Sequence, residues 1–130
     1  MQRPSSRVIA VPSEFPPDHE LLAFFESEPT VLDPGVPWSY NTLEFTTVRN
    51  EIEVRCRIVP SYGKITTQLM VGGQELAKFE LRDAETIRII VNDRREALVA
   101  TFGPGRLLDN FALQLKPRVW AAWGNLHQFP

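Results

Sequence analysis

The stretch TLEFTTVRNEIEVRCRIVPSYGKITTQLMV, residues 42–71, decides the fold of this 130-residue chain. Apolar and polar side chains alternate along three segments of it, which is the pattern of strands that bury one face of a sheet. Turn-forming residues at 49–50 and 60–63 separate these segments. The stretch therefore predicts an antiparallel meander with one buried face.

The first two hairpins of this meander agree on which face is buried. A two-residue turn at 49–50 places Phe45 opposite Val54 on the inner face. On the outer face the same register pairs Glu44 with Arg55, which is a favourable cross-strand pair. The next loop, four residues long, also pairs inward residues with each other, namely Ile58 with Ile65, Cys56 with Thr67 and Val54 with Leu69.

The third hairpin contains the dipeptide Gly72-Gly73, which is typical of a two-residue turn. Such a turn would place inward Phe79 opposite outward Thr66 and would invert the faces of the sheet. A three-residue loop that also includes Val71 restores the match between inward residues. We therefore predict a three-residue loop here.

The second half of the chain continues the meander but becomes apolar on both faces. A turn near 93–94 pairs Ile89 with Leu98 on the inner face. The outer face also carries apolar residues, namely Ile90, Ala97 and Val99. Because a sheet that is apolar on both sides is covered on both sides, we expect the N-terminal helix to lie against this part of the sheet.

The last predicted strand runs from Phe111 to about Trp123. Pro117 lies within it and cannot donate a ladder hydrogen bond, so the strand is an edge of the sheet or bends at the proline. The predicted fold class is mainly β: an antiparallel meander of about seven strands, forming a curved sheet or a small barrel, with one N-terminal helix packed on it.

The chain is expected to form one domain with three parts, namely a proline-rich arm at 1–41, a β-meander body at 42–124 and a tail at 125–130. In the arm a helix is predicted near 18–27, with Asp18 as its N-cap and Pro29 as its end. The apolar stripe of this helix consists of Leu21, Leu22, Phe24 and Phe25. Near the N-terminus, the segment Arg7–Val11 is a candidate for a short additional strand.

Composition and charge exclude several classes of protein. The 14 basic and 16 acidic residues are mixed along the chain and give a net charge of −2, so no nucleic-acid partner is expected. The apolar runs are far shorter than a membrane span, and no membrane partner is expected. Cys56 is the one cysteine, which rules out an internal disulfide, and a cytoplasmic location is expected.

The sequence contains no motif typical of catalysis. It has no glycine-rich phosphate loop, paired-cysteine metal motif or nucleophile elbow, so neither a metal nor a cofactor is expected. His19 and His127 lie outside the predicted strands, and Cys56 points into the predicted core. Charged residues on the outer face are interpreted as a solvated ladder that protects the sheet; they are Glu44, Glu53, Glu80, Arg55, Arg57 and Lys64.

Aromatic side chains are the main candidates for a binding site. Trp120 has the opposite parity from Trp123 and is expected to face outward. Arg118 and Lys116 are expected on the same face as Trp120, and an exposed tryptophan beside cations is a common anchor in interfaces. The alternative is that the helix or the arm folds over this tryptophan. The other candidate binding residues are Trp38, Tyr40 and Tyr62.

These patterns favour a non-catalytic binding module whose partner is another protein. The contact would involve the proline-bearing edge strand or the Trp120 face. The alternative is a small-molecule carrier or an enzyme that uses the interior of a small barrel, with polar groups such as Thr47 or Thr67 lining an apolar cavity. A barrel whose interior is filled by side chains would exclude this alternative.

Overall fold

A computed structural model describes residues 14–103 and 110–123 of the chain. These ranges contain one α-helix, α1 (Asp18–Phe25), and two short 3-10 turns, Trp38–Tyr40 and Pro60–Tyr62. Their β-strands are β1 (Thr30–Val31), β2 (Leu43–Arg49), β3 (Ile52–Val59), β4 (Lys64–Val71), β5 (Gln74–Leu81), β6 (Thr86–Asn92), β7 (Arg95–Thr101), β8 (Phe111–Lys116) and β9 (Trp120–Trp123). Three predicted features lie outside the described residues, namely the candidate strand Arg7–Val11, the tail at 125–130 and His127.

The described strands form two antiparallel sheets, which confirms the mainly β class. Five strands are joined in the order β1-β2-β3-β4-β5 and four in the order β6-β7-β8-β9. The strands follow one another in sequence order, as predicted, but the meander divides after β5, because β6 pairs with β7 and not with β5. Thr86 of β6 also forms a parallel bridge with Glu14. Within the described residues both sheets are open, so the closed barrel that the carrier or enzyme hypothesis needs is not formed.

One hydrophobic core contains inward residues of both sheets and of the helix. The ring of Phe45 on β2 stacks on that of Phe25 in α1, with centroids 4.3 Å apart. Phe79 of β5 and Phe111 of β8 have ring centroids 5.4 Å apart and so join the two sheets. Phe25, Phe45 and Phe111 are fully buried and Phe79 is partly buried. Because full burial of such a side chain contributes on the order of 2–3 kcal/mol, these contacts hold the three layers together.

The first hairpin buries the predicted face with a register two residues away from the predicted one. Phe45 lies opposite Cys56, and the outward residue Glu44 lies opposite Arg57. The turn consists of Asn50 and Glu51, whose φ angles are 53° and 70°. Two consecutive positive φ angles give a turn whose twist matches that of the flanking strands, and asparagine adopts this conformation at low cost.

The third hairpin shows that the predicted three-residue loop is wrong. Gly72 and Gly73 form the two-residue turn, with φ angles of 59° and 82° that favour glycine. The extra residue is instead in the strand, where a β-bulge leaves Leu76 of β5 without a partner on β4. Beyond the bulge, inward Phe79 lies opposite inward Thr67. The requirement for matched faces was correct, but a bulge rather than the loop satisfies it.

Two other hairpins have the predicted registers. Ile58 lies opposite Ile65 in the β3–β4 hairpin. Ile89 lies opposite Leu98 in the β6–β7 hairpin, whose turn contains Asp93. In both cases the apolar alternation extends far enough on each strand to determine a single register.

The helix forms as predicted, but its two ends differ from the prediction. Pro17 occupies the N-cap position, and Asp18 is the first helical residue without a side-chain capping hydrogen bond. At the other end Glu26 adopts a left-handed conformation, with φ 55°, so the helix ends before Pro29 is reached. Proline at the N-cap has no side-chain acceptor, but its ring fixes φ, here at −68°, and so preorganises the backbone where the helix begins.

The helix lies on the inner side of the molecule and not on the outer face of the second sheet. Its buried residues, Leu21, Phe24 and Phe25, belong to the core between the sheets. The prediction that it covers the outer apolar residues is therefore wrong. Those residues form a second, smaller cluster of Ala97, Val99 and Ala112, with Ile90 and Trp120 packed against it.

The predicted last strand is a hairpin. The chain reverses at Pro117, which follows a cis peptide bond, and β9 returns alongside β8 with Trp123 opposite Phe111. Pro117 therefore lies in the bend and not in an edge strand. The common parity of the apolar residues persists across this bend, which explains why the sequence pattern resembled one long strand.

Candidate functional site

Trp120 covers the outer side of the second sheet. It is half-buried and packs against Ala97, Val99 and Ala112. Its neighbour across the hairpin is Gln114, which is 3% exposed. Sheet residues therefore bury part of this ring.

Lys116 and Arg118 have different environments from the one predicted for them. A β-bulge at Leu115 places Lys116 opposite Glu96, on the core side of the sheet, and away from the face that carries Trp120. The ammonium of Lys116 lies 2.9 Å from a carboxylate oxygen of Glu26. Arg118 is exposed, and its backbone carbonyl accepts a hydrogen bond from Gln114. The structure thus removes Lys116 from the predicted patch of three residues.

The other aromatic candidates lie together at one end of the five-stranded sheet. The 3-10 turns Trp38–Tyr40 and Pro60–Tyr62 pack against each other, because they precede β2 and follow β3 at the same end of this strand pair. Tyr40 is 71% exposed and Tyr62 is 64% exposed. Trp38 instead packs against the core, with its ring edge-on to Phe45. Two exposed tyrosines that are distant in sequence thus share one end of the sheet.

Asn41 holds the loop that carries these aromatic residues. Its side-chain oxygen accepts hydrogen bonds from the backbone N–H groups of Asp33 and Thr42, each at 3.0 Å. Its amide nitrogen donates to the carbonyl oxygens of Asp33 and Val36, at 2.6 and 2.9 Å. The residue is 3% exposed, so water has little access to its amide group, and these bonds satisfy the polar atoms of that group instead. The segment at 36–41 therefore has a structural role in placing Tyr40.

The outward side of β2 to β5 is a polar surface, and we call it the open face. It consists of three rows across the strands: Glu44, Arg57, Thr66 and Glu80; Thr46, Arg55, Gln68 and Lys78; Val48, Glu53, Met70 and Glu75. The sequence correctly placed the charged residues here, but the prediction assigned them only a solubilising role.

Most charges on the open face are paired with one another. Arg57 Nε donates to Glu44 at 2.6 Å across the first hairpin. Arg55 Nε donates to Glu53 at 2.7 Å along the same strand. In the outer strand, the ammonium of Lys78 lies 3.1 Å from Glu80. These exposed pairs contribute little to stability, but they hold long side chains in defined positions on a rigid sheet.

A shallow cavity of about 390 Å³ lies in the open face. Five basic and two acidic side chains line it, together with polar residues. The basic ones are Arg55, Arg57, Lys64, Lys78 and Arg82, and the acidic ones are Glu44 and Glu80. The cavity therefore has a local excess of positive charge, although the whole chain has a net charge of −2.

A buried cation at the helix end was not predicted from the sequence. Arg49, the last residue of β2, donates hydrogen bonds to the carbonyl oxygens of Phe24 and Phe25, at 3.2 and 3.3 Å. It also bonds to Thr47 and lies 3.4 Å from Glu26. Because the partners in the helix are more than 20 residues from Arg49 in sequence, no local pattern could have identified this contact. Its role is structural, since it joins the helix to the sheet.

The reactive side chains of the described residues are poorly placed for catalysis. Cys56 is 1% exposed, and burial raises the pKa of its thiol to about 12, against a smaller opposing effect of a hydrogen bond with Thr67. His19 lies exposed on α1. Within residues 14–103 and 110–123, no group of histidine, cysteine, aspartate or glutamate side chains is arranged to hold a metal ion. The helix in these ranges is too short to cross a membrane.

Comparison with known proteins gives a structural likeness without a sequence family. No protein-family model and no curated protein matches the chain. A solved structure, described as a contact-dependent growth inhibition toxin–immunity protein complex from Klebsiella pneumoniae 342, contains a similar chain. The TM-score is 0.74 at 17% sequence identity, and the match covers 85% of this chain and 95% of that one. The two chains therefore share a fold.

Proposed function

We propose that this chain is a protein-interaction module of the immunity type, which binds a partner protein and suppresses its activity. The observation that carries this proposal is the similarity of nearly the whole described fold to a chain of a toxin–immunity protein complex. Each chain of such a complex binds the other. The match covers 95% of the similar chain, and this coverage supports the proposal that the present chain also binds a partner protein.

The open face is the surface we assign to the partner. It extends over four strands, so its side chains are held in register and lose little freedom on binding. Exposed Tyr40 and Tyr62 flank its end, and aromatic residues are enriched where proteins meet. Val48, 63% exposed, adds apolar area at the opposite end of the face. A rigid polar surface with a few exposed apolar residues is typical of a non-obligate interface.

The test starts from the full chain in cells of its source organism. A partner captured on the tagged chain is identified by mass spectrometry and then produced in purified form. We expect the two purified proteins to form a complex of fixed stoichiometry in size-exclusion chromatography. We also expect the partner to arrest growth when it is expressed alone, and growth to recover when this chain is co-expressed.

Two matched variants locate the surface. Thr46→Trp places a bulky side chain on the open face, and Asn92→Trp places one at an exposed position of the second sheet. We expect only Thr46→Trp to weaken the complex, by about tenfold or more, because a misplaced ring prevents close approach. Circular dichroism checks that both variants are folded.

The possible results separate the parts of the proposal. A purified partner that binds without any effect on growth would contradict the immunity role and leave the interaction module intact. Equal affinity of both tryptophan variants and the unmodified chain would exclude the open face. Failure of the purified proteins to associate would contradict the proposed function as a whole.

A further inference from the structure

We propose that the cavity of the open face binds carboxylate groups on an acidic surface of the partner protein, with Lys64 and Arg82 as the main contacts. This inference rests on the proposed function and specifies the chemistry of its partner. It is argued from the charges that line the cavity and from their positions in the register of the sheet.

Lys64 and Arg82 lie at the same end of two neighbouring strands. Lys64 is the first residue of β4, and Arg82 directly follows β5, whose last residue, Leu81, lies opposite Ile65. Both side chains line the cavity. Two like charges that line one cavity repel each other, so this arrangement costs free energy in the unbound protein. An anion bound between the two cations would remove that cost.

The other cations of the cavity already have partners. Arg57 is bound to Glu44, Arg55 to Glu53 and Lys78 to Glu80. Within the described residues, by contrast, neither Lys64 nor Arg82 forms an ion pair. The positive charge available to a ligand is therefore concentrated at these two residues, at the end of the cavity nearest Tyr62.

The surroundings of the two cations fit a protein carboxylate. Thr66, in the adjacent row, adds a hydroxyl group that can donate a hydrogen bond to an anion. Glu80 also lines the cavity, and its negative charge opposes a highly charged phosphate polymer more strongly than a single carboxylate. The exposed ring of Tyr62 can contact the apolar stem of a glutamate. We therefore assign the cavity to an acidic protein surface and not to nucleic acid.

The experiment uses the purified full chain and three defined probes: a short oligoglutamate peptide, an oligoglutamine peptide of equal length and a short oligothymidine. Binding is followed by amide chemical shifts in NMR spectra. We expect oligoglutamate to shift the amide signals of Lys64, Thr66 and Arg82, and oligoglutamine to leave them unchanged. Raising the salt concentration should weaken the effect, because the contacts are exposed.

A double substitution tests the two cations directly. Lys64→Gln with Arg82→Gln should weaken oligoglutamate binding by about three- to tenfold, the amount expected for two exposed ion pairs. Arg88→Gln removes an exposed cation of the second sheet and should have no effect. The inference would be overturned if the double variant and Arg88→Gln lost the same affinity for oligoglutamate. It would also be overturned if oligoglutamate caused no shifts, or if oligothymidine bound more tightly than oligoglutamate.

The natural partner distinguishes this inference from the proposed function. A partner that binds the double variant as tightly as the unmodified chain would refute the role of the cavity, while the protein-interaction function would stand. A partner that requires both cations, and whose acidic residues are protected in the complex, would support the two proposals together.

Discussion

Nη2 of Arg49 lies 3.2 Å from the carbonyl oxygen of Phe24, so a side chain of β2 binds the last turn of the helix. The last carbonyl groups of a helix have no partner within it, and a cation is favourable at this end. We expect Arg49→Ala to lower the free energy of unfolding by about 1–3 kcal/mol, because several partly buried acceptors lose their donor. Urea unfolding measures this loss.

The control for this prediction is Arg88→Ala, which removes an exposed arginine of the second sheet. It should change the free energy of unfolding by no more than about 0.5 kcal/mol. Equal effects of the two substitutions would show that Arg49 does not hold the helix in place.

The pair of Glu26 and Lys116 makes stability depend on pH. The hydrogen bond from Lys116, together with the charge of Arg49, holds the pKa of Glu26 below its ordinary value. A lowered pKa in the folded state contributes stability above the unfolded pKa, and this contribution is lost as the pH falls through the folded value. Glu26→Gln should therefore reduce the difference in unfolding free energy between pH 7 and about pH 3.

Glu28→Gln serves as the comparison for Glu26, since Glu28 is an exposed carboxylate two residues further along with no ion pair in the described structure. Urea titrations at both pH values measure the two variants and the unmodified chain. A pH dependence that is equally reduced in both variants would contradict the specific contribution of Glu26.

The side chain of Asn41 binds the backbone of the preceding loop, residues 33–36, and of Thr42. Asn41→Ala leaves four backbone groups without their side-chain partner, and we expect it to lower the free energy of unfolding by about 1–3 kcal/mol. Hydrogen exchange should report the loss at the amides of Asp33 and Thr42. Asn92→Ala, at an exposed position, should leave those two amides protected. Unchanged exchange in the Asn41 variant would contradict this role.

Cys56 should be unreactive in the folded protein. Its buried thiol, with a pKa of about 12, forms almost no thiolate near neutral pH. Ellman's reagent should therefore label it only after urea unfolds the chain. Rapid labelling of the native protein, at the rate of a free thiol, would mean that the core around Cys56 opens readily.

The bulge at Leu76 predicts which deletion the sheet tolerates. Removing Leu76, which is 62% exposed, should leave Phe79 inward and cost no more than about 1.5 kcal/mol, because the two-residue turn and the buried face then agree without a bulge. Removing Gln68 of β4 should unfold the sheet, because β4 pairs regularly with β3 and its faces would invert. Thermal unfolding of the two variants compares them.

Much of the fold could be predicted because alternation identifies strands and their buried faces. It could not distinguish a three-residue loop from a two-residue turn with a bulge at Leu76, since both bring Phe79 to the inner face. It also could not locate the division after β5, because inward apolar residues continue at Ile87 with the same alternation. That division depends on contacts such as Phe79 with Phe111, which are distant in sequence.

The candidate site was harder to predict than the fold. The sequence placed the charged residues on the outer face, but the charge imbalance of the cavity depends on which cations are paired. The pairing of Glu44 with Arg57, for example, follows from a register that was predicted two residues away. The sequence pattern predicted that Trp120 faces outward, but its partial burial depends on small residues of two other strands, which the pattern does not identify.

The bulge in β5 also affects how this chain behaves beside other copies of itself. β5 ends the five-stranded sheet in the described structure, and the free N–H and C=O groups of a straight edge strand can template the addition of further strands. The unpaired Leu76 bends the backbone and divides that edge into two short segments, with Lys78 beyond the break. The residue that reconciles turn and core thus also interrupts the edge of the sheet, which makes β5 a poorer template for the addition of a further strand.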